Sequence, residues 1–187
     1  MPRWANPANV LTILRLLLVP FVIVAIVHGN HLRALVLFAG AALTDGLDGL
    51  IARRFGLTTR FGAYLDPIAD KCLLSGVFLA LAASRLAPRW LVGIIFGRDL
   101  YLLCASAFLF WFAALRSFTP SVWGKLSTFV QIVAAALWMV RNAAPTPILD
   151  RLAEAIVWPC AALTIWSGLH YTWRARNLVV KQRVEWH

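Results

Sequence analysis

Residues 41–70 read AALTDGLDGL IARRFGLTTR FGAYLDPIAD, and they hold four of the eight acidic residues in a chain of 187. Asp45 and Asp48 fall near the end of one apolar segment, and Asp66 and Asp70 near the start of the next. Carboxylates in membrane-spanning helices are costly and normally face a cavity or the bundle interior. Four of them this close together would repel one another unless cations neutralised them. The stretch therefore predicts two membrane helices that share a cation site.

The composition of the whole chain agrees with a membrane location. Hydrophobic residues make up 61%, charged residues only 14%, and the mean hydropathy is +0.75. Soluble domains carry about 25% charged residues. Six segments approach the roughly 20 apolar residues that a membrane-spanning helix needs, and they are 10–27, 32–52, 63–83, 90–115, 122–140 and 149–173. We expect an all-α polytopic membrane protein of one domain, 1–187, with a short interfacial segment at 1–9.

The net charge of +10 bears on partners and orientation. The basic residues lie mainly between and after the apolar segments, which is typical of contact with anionic membrane lipids and argues against nucleic acid as a partner. Six spans place both termini on one side, where eleven Lys and Arg residues collect against five on the other. This bias predicts that the termini and the acidic cluster face the cytoplasm. We expect the inner membrane of a bacterium.

The spacing of the acids favours a metal site. Positions 45, 48, 49 and 52 share one helical face, and Asp66 and Asp70 share a face of the next helix. Carboxylate oxygens select Mg²⁺, Mn²⁺ or Ca²⁺ over zinc, and Gly49 lets a ligand approach the backbone. Ion pairs with neighbouring Arg and Lys would not explain the shared faces. A divalent-cation transporter is a remote alternative. A transporter would have its acids distributed through the membrane depth, whereas these four cluster at one end of their helices.

One sequence pattern carries a family resemblance. The residues of D-x-x-D-G-x-x-A-R-x8-G-x3-D-x3-D are met at every specified position from Asp45 to Asp70, across 26 residues. This stretch resembles the signature of the CDP-alcohol phosphotransferase family, whose members also have six spans with the motif across the second and third. The resemblance implies an enzyme that transfers a substituted phosphate from a CDP-linked donor to an alcohol and releases CMP.

The resemblance also implies roles for individual residues. Two divalent ions, Mg²⁺ or Mn²⁺, would be bound by Asp45, Asp48, Asp66 and Asp70, with Asp70 as the general base. A homodimer is expected on the same ground. The CDP site would be formed by Asn9, Thr12, Asp45, Gly49, Ala52, Arg53, Gly62 and Asp66.

Two branches of the family are candidates for the acceptor. The opening from Asn6 to Arg15, and Asp66-Pro-Ile-Ala-Asp70-Lys71, resemble both the branch that makes phosphatidylglycerophosphate and the branch that makes cardiolipin. The element G-K-x-x-T-x-x-Q at 124–131 resembles the first branch, whereas Arg98-Asp99 resembles the second. We expect phosphatidyl transfer from CDP-diacylglycerol to glycerol 3-phosphate, with phosphatidylglycerol as the alternative acceptor.

Cationic side chains complete the sequence prediction. An acceptor phosphate needs a cationic clamp near the metal site, and the candidates on the cytoplasmic side are Arg60, Lys71, Arg116 and Lys125. Arg15 falls inside an apolar span and needs an interior partner; structural pairing and substrate contact stay open. For Arg98 and Asp99, within the fourth span, a mutual or cross-helix ion pair is favoured.

Overall fold

The described residues of the chain fold into α-helices. The computed structural model describes residues 7–55, 60–112 and 122–185, and the side chains of 10–44, 69–105, 122–174 and 176. In this part of the chain the elements are α1 (Pro7–Val27), α2 (His31–Phe55), α3 (Arg60–Ala83), α4 (Arg89–Phe112), α5 (Val122–Ala143), α6 (Pro147–Ala155) and α7 (Val157–Glu185). The all-α prediction is confirmed.

Three stretches of the described residues are long and apolar enough to cross a membrane by length and composition: Val10–Val27, Val122–Ala143 and Pro147–Arg174. They match the first, fifth and sixth predicted spans, and the chain is a polytopic membrane protein. The other three predicted spans fall on α2, α3 and α4, which have 25, 24 and 24 residues. At 1.5 Å per residue, each is about 36 Å or longer, against a hydrocarbon core of about 30 Å. Of the predicted interfacial segment, residues 7–9 begin α1 and the rest lies outside the described residues.

The predicted sixth span differs from the structure in one respect. It consists of two helices, with a break at Ile156 between α6 and α7. Proline has no backbone N–H, so Pro159 cannot donate the helical hydrogen bond to the carbonyl of Ala155. The chain stays close to helical across the break, because the amide of Ile156 donates to Leu152 and that of Cys160 to Ile156.

The chain divides into two compact units, and the first comprises Met1–Ala87 and Ala135–Arg151. In it, α1 packs against both α2 and α3. A left-handed Gly29, with φ 75°, ends α1, where the amide of Asn30 donates to Ala25 and that of Gly29 to Ile26. This pair of bonds is a Schellman cap. It turns the chain directly into α2, so α1 and α2 form an antiparallel hairpin.

The contact between α1 and α3 is tight at Gly76. A Cβ at that position would lie 2.8 Å from Ile23 Cδ1 and 3.3 Å from Val19 Cγ1. Small residues at such points let membrane helices approach closely. Further along, Phe78 packs edge-on against Trp138, with ring centroids 6.2 Å apart. This unit therefore holds its helices together by close packing of small and aromatic side chains.

The second unit comprises Pro88–Ala134 and Leu152–His187. Here α4 packs against α7. Their contacts include Trp90 with Trp158, ring centroids 6.2 Å apart, and Tyr101 Oη with Thr172 Oγ1 at 2.7 Å. The earlier residue of α4 contacts the earlier residue of α7, and the later residue contacts the later one, so α4 and α7 run parallel. The prediction of a single domain is not tested by this division and stays a prediction.

Candidate functional site

Asp70 is the one predicted site aspartate whose side chain falls in the described part of the chain. Arg15 Nη1, on α1, donates to Asp70 Oδ1, on α3, at 2.6 Å. The two partners differ in exposure, because the Arg15 side chain is 1% exposed and the Asp70 side chain 44%. A buried arginine thus holds a carboxylate that solvent can still reach. The sequence left the partner of Arg15 open, and the structure shows that it is an acid of the predicted site.

Arg15 lies on the inward face of α1. Thr12, three residues earlier on the same face, is fully buried. Further along that face, Val19 and Ile23 meet α3 around Gly76. Because Arg15 pairs with Asp70 and the later Val19 and Ile23 approach the later Gly76, α1 and α3 run parallel. The start of α3 therefore lies at the same end of this unit as the start of α1.

Helix geometry places the backbone of the other aspartates at a similar depth. From Gly29 back to Arg15 along α1 is roughly 21 Å, and from Gly29 forward to Asp45 along the antiparallel α2 is roughly 24 Å. Asp45 is therefore within about 3 Å of the depth of Arg15. Asp48 and Asp66 lie about one turn nearer the start of α1. All four predicted ligand positions fall within about two helical turns of depth.

The donor set fits the predicted cations by its chemistry. Four carboxylates carry a formal charge of −4, which two divalent cations balance, and oxygen ligands suit Mg²⁺ and Mn²⁺. The partial exposure of Asp70 leaves its carboxylate accessible. Where side chains are described, no three His, Cys, Asp or Glu residues come together. The side chains of the other site residues lie outside that part of the chain, and these are Asn9, Asp45, Asp48, Gly49, Ala52, Arg53, Gly62 and Asp66.

Of the four cationic residues predicted to bind the acceptor phosphate, two have side chains in the described part of the chain. Lys71 and Lys125 are exposed, which suits either a substrate clamp or contact with headgroups. The side chain of Arg60 and the whole of Arg116 lie outside the described residues. Their proposed role stays a prediction.

The second unit contains a buried polar network around the G-K-x-x-T-x-x-Q element. Gln131, 2% exposed, donates through Nε2 to Thr164 Oγ1 at 3.1 Å and to Ser127 Oγ at 3.3 Å. Ser167 Oγ donates to the carbonyl of Thr164 at 3.0 Å and accepts from Arg98 Nε at 3.0 Å. Sequence reasoning missed this network. The spacing of Ser127 with Gln131, and of Thr164 with Ser167, on single helical faces could have indicated it.

The network ends on an ion pair. Arg98 Nη1 lies 2.7 Å from Asp99 Oδ1, and the two side chains are 10% and 19% exposed. The predicted pairing of these residues is confirmed. Arg98 is thereby held on both sides, by the carboxylate of its neighbour and by the hydroxyl of Ser167.

Comparison with known proteins decides the family. The sequence model of the family described as CDP-alcohol phosphatidyltransferase matches residues 5–166 of this chain. The chain belongs to that family. A relative from Mycobacterium tuberculosis (strain ATCC 25618 / H37Rv), named a probable phosphatidylglycerophosphate synthase, is 37% identical over 180 residues, which cover 92% of this chain and 83% of the relative. The CDP-diacylglycerol--glycerol-3-phosphate 3-phosphatidyltransferase of Escherichia coli (strain K12) is 34% identical over 186 residues, covering 95% and 98%.

Family membership confirms two further predictions. The chain is an enzyme, a CDP-alcohol phosphatidyltransferase of phospholipid biosynthesis. With its apolar helices, it is an integral membrane protein. The remote alternative of a divalent-cation transporter loses its support, because the acids at 45–70 belong to the matched region of a transferase family.

Proposed function

We propose that this enzyme transfers the phosphatidyl group of CDP-diacylglycerol to glycerol 3-phosphate, forming phosphatidylglycerophosphate and CMP. The observation that carries the proposal is the similarity, at 34–37% identity over more than nine-tenths of the chain, to relatives named for that activity. The G-K-x-x-T-x-x-Q element supports the same acceptor. Phosphatidylglycerol remains the second candidate, since Arg98-Asp99 resembles the cardiolipin-forming branch.

The reaction assigns Asp70 the central role. The acceptor hydroxyl attacks the phosphorus that bears the diacylglycerol, the phosphoanhydride bond to CMP breaks, and CMP leaves with the bonding electron pair. Asp70, on the exposed side of its ion pair, takes the proton of the hydroxyl. Arg15 is then a positioning residue, because it fixes the carboxylate at 2.6 Å from within the helix bundle.

The remaining assignments follow the same proposal. Asp45, Asp48, Asp66 and Asp70 would hold two Mg²⁺ or Mn²⁺ ions, which when bound offset the charge of the pyrophosphate and of departing CMP. The other proposed contacts of the cytidine diphosphate are Asn9, Thr12, Gly49, Ala52, Arg53 and Gly62. Arg60, Lys71, Arg116 and Lys125 are proposed to bind the acceptor phosphate.

The cellular arrangement is also proposed. The excess of Lys and Arg on one side supports termini and active site that face the cytoplasm, in a bacterial inner membrane. Reporter fusions at the carboxyl terminus and in the turn around Gly29 should give opposite orientations, and identical orientations would contradict this topology. The homodimer stays a prediction that rests on the family resemblance.

An acceptor-resolved assay tests the proposed reaction. Purified protein receives CDP-diacylglycerol, Mg²⁺ or Mn²⁺, and either glycerol 3-phosphate or phosphatidylglycerol, and CMP release is measured. We expect release with glycerol 3-phosphate, and its loss on chelation of the metal. Asp70→Asn should abolish release, whereas the matched control Asp150→Asn, at an aspartate paired with Arg141 at 2.6 Å, should retain it. Release with phosphatidylglycerol alone would replace the proposed acceptor by the alternative.

A further inference from the structure

An open cleft lies at the end of the first unit far from Asp70. It has a volume of about 490 Å³ and is formed by the turn between α1 and α2 together with the end of α5. Cavities of this size accommodate small ligands and headgroups. Along α1, the turn is roughly 21 Å from Arg15. The cleft is therefore separate from the proposed transfer site.

The side chains that line the cleft favour an anion. They include Arg33 and His31 from the first turn of α2 and the amides of Asn30 and Asn142, and no acid occurs among the described lining residues. The Asn142 amide is anchored by a 2.7 Å bond from Nδ2 to the carbonyl of Trp138. Within the described part of the chain, Nδ1 of His31 is enclosed and has no hydrogen-bond partner. Such an enclosed polar atom beside a cleft is costly unless a ligand or water satisfies it.

The surroundings of the cleft indicate which anion is at hand. Leu32, which lines the cleft, is 66% exposed, and Val36, one turn further along α2, is 62% exposed. In a membrane helix, exposed apolar side chains of this kind face acyl chains. We propose that the cleft binds the phosphate of an anionic phospholipid, with Arg33 as the principal cation and the acyl chains along Leu32 and Val36.

Arg33 is suited to this role. Arg33 is exposed, lines the cleft and lies outside any ion pair of the described residues. Arginine binds phosphate through parallel charge-assisted hydrogen bonds. The first turn of a helix adds backbone N–H groups that no helical carbonyl accepts. A headgroup phosphate would thus meet a guanidinium, amide donors and the His31 ring, while its chains stay in the bilayer.

Native mass spectrometry of the full chain in detergent tests the proposal. The protein is titrated with dioleoyl phosphatidylglycerol, with dioleoylglycerol, which lacks the phosphate, and with inorganic phosphate, which lacks the chains. We expect Arg33→Gln to weaken phosphatidylglycerol binding about tenfold, because charge-assisted bonds are lost. Dioleoylglycerol binding should not depend on Arg33. CMP release by Arg33→Gln should stay within about twofold of wild type, because the cleft is remote from Asp70.

The matched control is Arg89→Gln, which changes an exposed arginine at the first residue of α4, outside the cleft. It should bind phosphatidylglycerol as wild type does. His31→Phe, which removes the ring nitrogens without removing the arginine, should weaken binding as Arg33→Gln does. If Arg33→Gln and His31→Phe both bind phosphatidylglycerol as wild type does, the proposed site is overturned. An equal loss of binding in Arg89→Gln would show that the lipid binds to surface charge in general and not to this cleft. If inorganic phosphate binds as tightly as the lipid, with the same dependence on Arg33, the ligand of the cleft is free phosphate and not a lipid headgroup.

Discussion

The ion pair between Arg15 and Asp70 predicts an asymmetry between its two partners. Arg15 is 1% exposed, so removal of Asp70 takes a carboxylate bonded at 2.6 Å away from a cation inside the helix bundle. Asp70 is 44% exposed, so removal of Arg15 leaves an anion that water can still solvate. Asp70→Asn should therefore destabilise the fold more than Arg15→Met. In the double variant Arg15→Met/Asp70→Asn, neither charge remains, and most of the stability should return.

The magnitude follows from the burial of each partner. Removing one member of a fully buried pair costs about 3–5 kcal/mol. Since water reaches the Asp70 side and asparagine can still accept a neutral hydrogen bond, we expect about 2–3 kcal/mol for Asp70→Asn. For a chain of this length, that lowers the midpoint of thermal unfolding by roughly 4–12 °C. Arg15→Met should cost about 1 kcal/mol or less, and the double variant should lie within about 1 kcal/mol of wild type.

Two measurements on the same four proteins test this reasoning. Thermal unfolding in detergent gives the coupling energy by a double-mutant cycle. CMP release separates stability from chemistry: Asp70→Asn and the double variant should be inactive, whereas Arg15→Met should lose about 10–100-fold, as positioning residues of metal sites do. If Asp70→Asn unfolds at the wild-type temperature, or Arg15→Met costs more stability than Asp70→Asn, the asymmetry of the pair is refuted.

Three further predictions concern packing, a helix cap and the polar network. Gly76→Val should lower the free energy of unfolding by about 1–3 kcal/mol, because Ile23 and its neighbours crowd the site. The control Gly40→Val, where a Cβ would meet nothing within 4 Å, should not lower it. Equal midpoints of thermal unfolding for the two variants would contradict the close contact. Arg85 has φ 59°, so Arg85→Gly should raise the unfolding midpoint by removing about 1 kcal/mol of left-handed strain; a lower midpoint would be the contrary result. Gln131→Leu should cost about 0.6–1.7 kcal/mol, the range of hydrogen bonds between membrane helices, and an unchanged midpoint would show that the network does not stabilise the fold.

The sequence indicates the candidate site more readily than the contacts around it. The aspartates could be predicted because acids are rare in an apolar chain and their spacing on helical faces is readable directly. The pairing of Arg15 with Asp70 could not be predicted, because it depends on the register of α1 against α3, which the sequence does not reveal. The Ser127, Thr164 and Gln131 network was missed for a related reason. Hydroxyl residues in an apolar helix bond equally well to their own backbone, as Thr164 does to Cys160 at 2.7 Å.

Helix ends show the same limit. Gly29 in a left-handed cap is what a turn between two apolar segments leads one to expect. Arg85 occupies the equivalent left-handed position after α3, where the amide of Leu86 donates to Leu81 and that of Arg85 to Ala82. No local preference of arginine indicates this cap, because residues other than glycine adopt the left-handed conformation only rarely. The break before α7 was likewise readable only in part, because a proline inside a predicted span does not by itself fix a break, as Pro20 within the unbroken α1 shows.

The directions of the helices support spans that hydropathy alone leaves as predictions. The pairing of Arg15 with Asp70, and of Val19 and Ile23 with Gly76, makes α1 and α3 parallel neighbours. Because α2 connects α1 to α3 in the chain, these two can be parallel neighbours only if α2 returns along their whole length in the opposite direction. Since α1 has the length and composition of a span, α2 must cross the same thickness, even though it carries Asp45 and Asp48.

The same argument holds within the second unit. There α4 and α7 are parallel, and α5 runs against α7, because Trp123 meets Trp166 with ring centroids 6.0 Å apart while the later Gln131 bonds to the earlier Thr164. Because α7 lies in a span and α5 is itself one, α4 must cross between the same two surfaces as they do.

In the first unit, the alternation of α1 and α2 brings the start of α3 back to the side on which α1 begins. That return, rather than any single motif, is what brings the backbone of the aspartates on α2 and α3 to a similar depth.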